Sequence, residues 1–518
     1  MKKIIALLLA VVMVAALFAG CQNGQEEETP PSDTSETTGS EETTPSETTG
    51  EEETEPADDG EVVELLWYVV GSSQPVNYDA WKAVVDEYLE GKIGVHLNMQ
   101  VIDWGSWGDR RSMIVSTNEP YDIIFTDMGT YRNDINLGAF ADLSEIQEEY
   151  PELWAAIPER IWDGVLVNGS IYGVPAYKDS SMTNFLVWDS DVAEQYFPEY
   201  QDAHELADLT EGLAAIYEGT GDAPIGLHRD GISAVIGNKY DNLGTGLSTI
   251  GVSYTSGSTE VVCTVEQEDV MEDLRLLHQW YDAGYINADA PTLAEAPKYK
   301  VLSVAQGWPS AADTTWGPDM GASPYTGEDV NAVAVQWEDT VLSNDTIQGS
   351  IACISASSQH KDKALELLQL VNTDSTLRDM LYYGIPGENF EYVDVNGEQR
   401  VRKLNSDWTM AGYTQGKTLI VTPEENSETN YFIEEITPQN DNAIASPALG
   451  FSFDTTNVAT QIAECAAIFT NYKATLLTGA MDPDELVPQM MAEMREAGFD
   501  EIVAEAQTQL DAWLAGQN

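Results

Sequence analysis

The chain has 518 residues, with 23 Lys and Arg set against 88 Asp and Glu for a formal net charge of −65. A field of that sign repels phosphate backbones and anionic lipid headgroups, which excludes nucleic acid as a partner and disfavours polyanionic substrates. Fifteen of the acids fall within residues 22–61, yet the body from 62 onward is also acidic and is long enough for two or more lobes, each with its own core.

The N-terminus reads as an export signal. Residues 1–3 (MKK) are positive and residues 4–18 are an uninterrupted apolar run. That run is shorter than the roughly 20 apolar residues a spanning helix needs, and no later segment reaches about 18, so nothing in the mature chain is expected to cross a bilayer. Residues 17–21 (LFAGC) resemble a bacterial lipobox, in which small residues precede a Cys that is lipidated and becomes the new N-terminus; Phe18 stands where Leu is usual. Residues 1–20 are therefore read as a signal peptide and Cys21 as a lipid anchor at the extracytoplasmic face of the cell membrane. Two acyl chains hold stably, because each buried CH₂ adds about 0.8 kcal/mol. Residues 22–61, rich in Glu, Thr, Ser, Pro and Gly and without Lys, Arg or aromatics, form an expected disordered, self-repelling linker.

The body opens with alternating strands and helices. Residues 61–70 (EVVELLWYVV) suit a buried first strand, and Asp79 can cap a helix whose apolar face is Ala80, Val84, Val85, Tyr88 and Leu89, ended by Gly91. Residues 93–102 read as a second strand, 110–115 as part of a second helix and 121–126 (YDIIFT) as a third strand. This βαβαβ order predicts a parallel α/β sheet with ligands gathered at the strands' carboxyl ends. Asn168-Gly169 and Asn396-Gly397 signal two hairpins, over residues 165–172 and 390–401. Helices are expected over 269–283, 361–372 and 456–477, then from the Asp482 cap to Gly498, and finally over 500–514.

Motifs with catalytic spacing are missing. His204-Glu205 lies in HELAD, without the second His of a zinc HExxH; Gly244-Thr245-Gly246 lacks the third glycine of a dinucleotide loop; Asp189-Ser190-Asp191 lacks the remaining ligands of a calcium loop. There is no GxSxG elbow and no GxxxxGK loop, so neither a cofactor nor a metal is expected. A glycosidase, needing only two carboxylates about 5–9.5 Å apart, stays open as the alternative, as does an adhesin. Cys263, Cys353 and Cys465 read as small buried apolar residues, with one pairing among them left open.

Aromatic residues are grouped in polar, Gly-rich contexts: Trp104 and Trp107 in IDWGSWGD, Tyr131 in TDMGTYRND, Tyr177 in VPAYKD, Trp308 and Trp316 in GWPSAADTTWG. An indole or phenol offers a flat apolar face and a polar edge, which suits the C–H faces and hydroxyls of a sugar. Any one of them fits a loop anchor equally well; the set favours binding.

The lipobox and acidic tail, YDIIFTD, SIYGVPAYKDSSMTNFLVW, GSIACISASSQHKDKALELLQLVNTD with YYGIPGENFEY, and the closing stretch from GFSFDTTNVATQIAECAAIF onward resemble extracellular solute-binding lipoproteins of carbohydrate-type ABC importers. The C-terminal third is similar to a subgroup with its own C-terminal region. The resemblance implies a two-lobed, type II periplasmic-binding-protein-like clamshell of mixed, mainly parallel sheets flanked by helices. Its lobe 1 would span 62–175 and return over 351–400, lobe 2 would span 176–350, and a mainly helical region over 401–518 would complete both. Hinge crossings are expected near Val174-Pro175 and Ile351–Ile354. The implied ligand contacts are Asp127 and Tyr131 after YDIIFT, Tyr177 and Lys178 at the hinge, and Trp308 and Trp316 in the Trp-rich loop. Trp104 and Trp107 follow the second strand toward the same cleft; Tyr382 and Tyr383 are weaker candidates, and Asp454 is read as a helix cap. The implied function is capture of a sugar, a neutral oligosaccharide in view of the charge, and delivery by a monomer to ABC permease subunits. No catalytic residue is expected. The anchor has its own test: Cys21→Ala should move the protein from the membrane fraction into the medium, and retention of the variant on membranes would refute the lipobox reading.

Overall fold

The computed structural model describes residues 62–427 and 429–517; the signal segment, Cys21 and the acidic linker lie outside the described residues. Strand Val63–Gly71 pairs in parallel with Val95–Asp103 over its full length, from Val63 opposite Val95 to Gly71 opposite Asp103. It also pairs in parallel with Ile123–Thr126 on its other side. Helix Tyr78–Ile93 makes the first crossover and buries Trp81, Val85 and Leu89, spaced by four so that they share one face. It runs past Gly91 to Gly94, whose left-handed φ of 64° closes the last turn onto the Glu90 carbonyl. Helix Trp104–Ser116 makes the second, with the Asp103 carboxylate accepting from Gly105 N.

Two further strands complete this first sheet, in the order Val95–Asp103, Val63–Gly71, Ile123–Thr126, Ile351–Ile354, Val174–Pro175. Ile351–Ile354 runs antiparallel to both of its neighbours. Asp122, buried just before the third strand, accepts from Leu66 N at 2.9 Å and from Ser358 Oγ at 2.6 Å, so one carboxylate ties the first strand to the return segment.

After Pro175 the chain enters a second sheet at Met182, ordered Leu302–Gln306, Met182–Asp189, Ala332–Leu342, Ile444–Ala445. Met182–Asp189 runs antiparallel to both of its neighbours and only the last pair is parallel, so the second sheet is mainly antiparallel while the first is mixed, its parallel pairs being those of its first three strands. Met182–Asp189 lies inside the sheet and is buried beyond its first residue, in keeping with the apolar run FLVW at its centre. Each sheet has its own core. Leu65, Trp67, Trp81, Ile123, Cys353 and Leu368 belong to the first, and Leu186, Trp188, Leu274, Trp280 and Trp337 to the second.

The C-terminal region divides between them. Phe390, Val401, Met410, Phe432 and Ile436 pack into the first core through strands and short helical turns. Helices Ala459–Leu477, Pro483–Glu496 and Phe499–Gly516 pack into the second through Leu476, Met490, Met494, Phe499 and Leu510. Both Asn-Gly turns form hairpins with left-handed φ at both positions, 53° and 82° at Asn168-Gly169 and 58° and 91° at Asn396-Gly397. Cys263, Cys353 and Cys465 are all free thiols, and burial raises Cys263 to about 12 and Cys465 to about 11. No described helix is long and apolar enough to cross a membrane.

Two outcomes follow from this packing. Gly479 has φ 75°, and a Cβ there would stand 2.2 Å from the Leu277 carbonyl oxygen, inside a helix backbone. Gly479→Ala should cost about 2–4 kcal/mol, read by urea denaturation. Asp241 ends a short strand in the second lobe, and burial raises its carboxyl to about 6. The folded form therefore holds a proton that the unfolded chain has lost, so this group stabilises below about pH 4 and its contribution disappears as pH rises through about 6. Melting curves of Asp241→Asn and the parent should diverge in the variant's favour as pH is raised across that window; parallel curves would refute the assignment.

Candidate functional site

The register of the first sheet decides where the lobes meet. Ile351 lies opposite Thr126 on one side and Pro175 on the other. The connections over 176–181 and 343–350 therefore emerge at the end where the parallel strands finish, at Gly71, Asp103 and Thr126. The loops after those strands share that end with the hinge, the position at which open α/β sheets gather ligands.

The loop after Thr126 is built tightly. The Asp127 carboxylate accepts from Gly129 N at 3.0 Å, and Met128 N donates to the hinge carbonyl of Gln348 at 2.9 Å. Helix Tyr131–Asn136 follows. Tyr131 and Asp134, three apart, face inward: Tyr131 is 0% exposed, and Asp134 pairs with buried Arg111. Arg132, Asn133 and Asn136 face the other way, into a cavity of about 270 Å³. Leu243, Gly244 and Thr245 of the second lobe, Asn344, Asp345 and Gln348 of the hinge, and Thr455 at the approach to the long C-terminal helix line the rest.

Charge is concentrated in this cavity. A Cβ on Gly244 would stand 3.8 Å from Asp345 Oδ1 and 3.9 Å from Arg132 Nη2, so both groups lie close beside the glycine. Arg132 forms no ion pair among the described residues, and its Nη1 is buried without a hydrogen-bond partner. Burial lowers its guanidinium to about 10 against the opposing pull of Asp345 and Asp454, and burial raises the Asp345 carboxyl.

A second feature is an aromatic seam. Trp308 follows strand Leu302–Gln306 of the second lobe and stacks on Tyr431, with ring centroids 5.3 Å apart and planes 6° from parallel. Tyr431 continues to Phe432 at 4.2 Å and Phe432 to Tyr382 at 6.5 Å, in the first lobe's core. Glu435 Oε2 accepts from Ser310 N at 2.9 Å, and Gln439 Nε2 donates to the Gly307 carbonyl at 3.0 Å. Trp308 Nε1, Ser310 Oγ and Asn430 Oδ1 are buried with no protein partner, leaving a donor, a hydroxyl and an acceptor together along the seam.

The residues singled out from sequence divide by exposure. Trp104, 44% exposed, keeps an open face while its ring packs against Phe125, two residues before Asp127. Trp316 is half-buried against Phe185 and covers Gly307. Lys178 is drawn into an ion pair with Asp179 at 3.0 Å, its backbone carbonyl accepting from Asn440 Nδ2. Four rings are core. Trp107 packs beneath Phe125, Tyr131 donates to the Val165 carbonyl, Tyr177 lies under Lys417, and Tyr383 donates to the Thr422 carbonyl. Each of these four rings fills lobe 1 beside its loop. Asp454, read as a helix cap, instead accepts from Thr456 N in a local turn, because the helix begins only at Ala459 with Val458 at its cap position. Arg132, Asp345, Tyr431 and exposed Tyr413 join the candidates only with the structure. Tyr413 in MAGYTQGK and Tyr431 in ETNYFIEE stand in the polar context used for the other rings, and Arg132 is the only base in its loop.

Residues 71–376 match the family model of bacterial extracellular solute-binding proteins, and residues 447–515 match a domain of unknown function, DUF3502. A carbohydrate ABC transporter substrate-binding protein of Streptococcus pneumoniae serotype 4 is 29% identical over 469 residues, covering 88% of this chain and 92% of the relative. The crystal structure of the N-glycan transport solute-binding protein NgtS from Streptococcus pneumoniae superposes with a TM-score of 0.78 at 27% identity, over 88% of this chain and 100% of that one. The same protein in complex with Man5GlcNAc superposes with a TM-score of 0.66 at 28% identity, over 88% and 99%. With two lobes joined by repeated crossings and a family match over more than half its length, the chain belongs to the bacterial extracellular solute-binding proteins.

Proposed function

We propose that this protein captures a neutral oligosaccharide between its lobes and delivers it to the permease subunits of an ABC importer, held at the outer face of the membrane by a lipid on Cys21. The observation that carries the reading is the interlobe cavity, where the first lobe, the second lobe and the hinge converge around Arg132. A ligand that touches both sides binds best when the lobes approach, so binding shifts the population toward closure.

The relatives favour a sugar, being described as carbohydrate and N-glycan transport proteins. Along the seam, the indole N–H of Trp308, the Ser310 hydroxyl and the Asn430 carbonyl are complementary to hydroxyl groups. A polyuronate would set repeated negative charge against Asp345, Glu434 and Glu435, with Arg132 alone to offset it. In this scheme the chain makes and breaks no bond, and a separate ATPase supplies energy, in keeping with a sequence that has no GxxxxGK loop.

A glycan panel read by thermal shift and by analysis of the recovered sugars tests the reading. A neutral oligosaccharide should raise the Tm and be recovered intact; released shorter sugars would make the protein a hydrolase, and binding to polymer alone an adhesin. Trp308→Ala should weaken that glycan about tenfold with little change in Tm, the value of one lost stacking contact. Arg132→Met removes a guanidinium without a counter-ion. Its ligand-free Tm should hold or rise while glycan affinity falls by tenfold or more, and a large drop in Tm would instead make Arg132 structural.

A further inference from the structure

A turn over residues 409–418 closes the mouth of lobe 1 at the end of the sheet where the lobes meet. It starts at the carboxyl end of the first strand, where Ala411 N donates to the Val70 carbonyl at 3.0 Å and Ser72 N to the Thr409 carbonyl at 2.9 Å. It ends on the hinge, where Thr418 N donates to the Tyr177 carbonyl at 3.0 Å. Between these anchors stands Tyr413, 45% exposed, its hydroxyl making no hydrogen bond and its ring no aromatic contact among the described residues.

The hinge brings an ion pair beside this ring. Burial raises the Tyr413 hydroxyl, and the Asp179 carboxylate adds to the shift. Asp179 Oδ1 accepts from Lys178 Nζ at 3.0 Å, and the two side chains keep 23% and 16% of their surface. Such a pair presents an acceptor and a donor with no net charge, which suits the vicinal hydroxyls of a neutral sugar, while the phenol ring suits its C–H face. Tyr382 lies against the turn, since a Cβ on Gly412 would stand 2.8 Å from its Cα, and its ring reaches the Trp308 seam through Phe432 at 6.5 Å.

The turn is held from within the lobe. Arg378 is 0% exposed and forms no ion pair among the described residues, because the adjacent Asp379 is taken up by Thr422 and Tyr392. Its Nε donates to the Lys417 carbonyl at 3.1 Å and its Nη2 to the Gly412 carbonyl, so one guanidinium grips the chain on both sides of Tyr413. A buried cation without a carboxylate is a costly way to fix a loop, but the rigid fork of a guanidinium sets two carbonyls at once.

We propose that Tyr413 and the Lys178–Asp179 pair form a lobe 1 subsite for one neutral pyranose ring of the captured glycan, and that Arg378 is the positioning residue that holds Tyr413 in it. The subsite rests on the reading of the cleft as a glycan site and gives the glycan an aromatic contact on the opposite lobe from Trp308.

The probe is Man5GlcNAc, the glycan of the NgtS complex, titrated calorimetrically into the mature chain at pH 7. Tyr413→Ala should weaken it about tenfold and Asp179→Asn a few fold, with Tm unchanged, whereas Tyr413→Phe should keep most of the affinity. Arg378→Met should weaken it as much as Tyr413→Ala does and add nothing further in the Tyr413→Ala background, and Arg378→Lys should restore binding in part. Parent-strength binding by both Tyr413→Ala and Asp179→Asn would overturn the subsite and leave the cleft reading standing. A loss in Arg378→Met that adds to that of Tyr413→Ala, or a fall in Tm with affinity intact, would overturn the positioning role. Failure of the parent to bind Man5GlcNAc would overturn the glycan reading and the subsite with it.

Discussion

One rung of the first sheet, with Ile351 between Thr126 and Pro175, sets the geometry on which the rest depends. Inserting Ile351–Ile354 antiparallel between two outgoing strands brings the outbound and inbound connections side by side, at the carboxyl ends of the parallel strands. Had the return strand run parallel, its connection would have entered at the opposite end, away from Asp127 and Arg132. The hinge and the loops that face a ligand are thus consequences of the same pairing.

A strap over residues 429–446 then couples the two lobes. Asn440 Oδ1 accepts from both Ser181 N and Ser181 Oγ, and Arg160 donates to the carbonyls of Asn440, Asp441 and Ala443. The same strap reaches Gly307 and Ser310 of the second lobe through Gln439 and Glu435. Its bonds join one chain segment to first lobe, hinge and second lobe, so the loop carrying Trp308 is held in register with the crossings. Directional polar contacts of this kind can exchange partners during lobe motion more readily than a fused apolar core.

Much of the local structure was legible because it depends on neighbours in sequence. Asn168-Gly169 and Asn396-Gly397 make their hairpins because both positions require left-handed backbone, and Asp482-Pro483 starts its helix with the carboxylate accepting from Asp484 N. Gly91 misled because a glycine inside a helix is tolerated; only Gly94 takes the left-handed turn. Trp104 and Trp107 read as loop residues, but Asp103 caps a helix beginning at Trp104; both rings meet Phe125, and only Trp104 keeps an exposed face.

By itself the sequence determined the βαβαβ opening and carried the reading of residues 1–61 as export signal and acidic linker, since each rests on composition or on short-range periodicity. The tertiary structure decided which side chains can meet a ligand. Tyr131 and Arg132 are adjacent in the chain, yet a helix of one and a half turns sends the ring into the core and the guanidinium into the cavity. Asp345 joins Arg132 from more than two hundred residues away, through Gly244 of the other lobe. Such convergence depends on how two lobes and their crossings pack, and no local pattern encodes it.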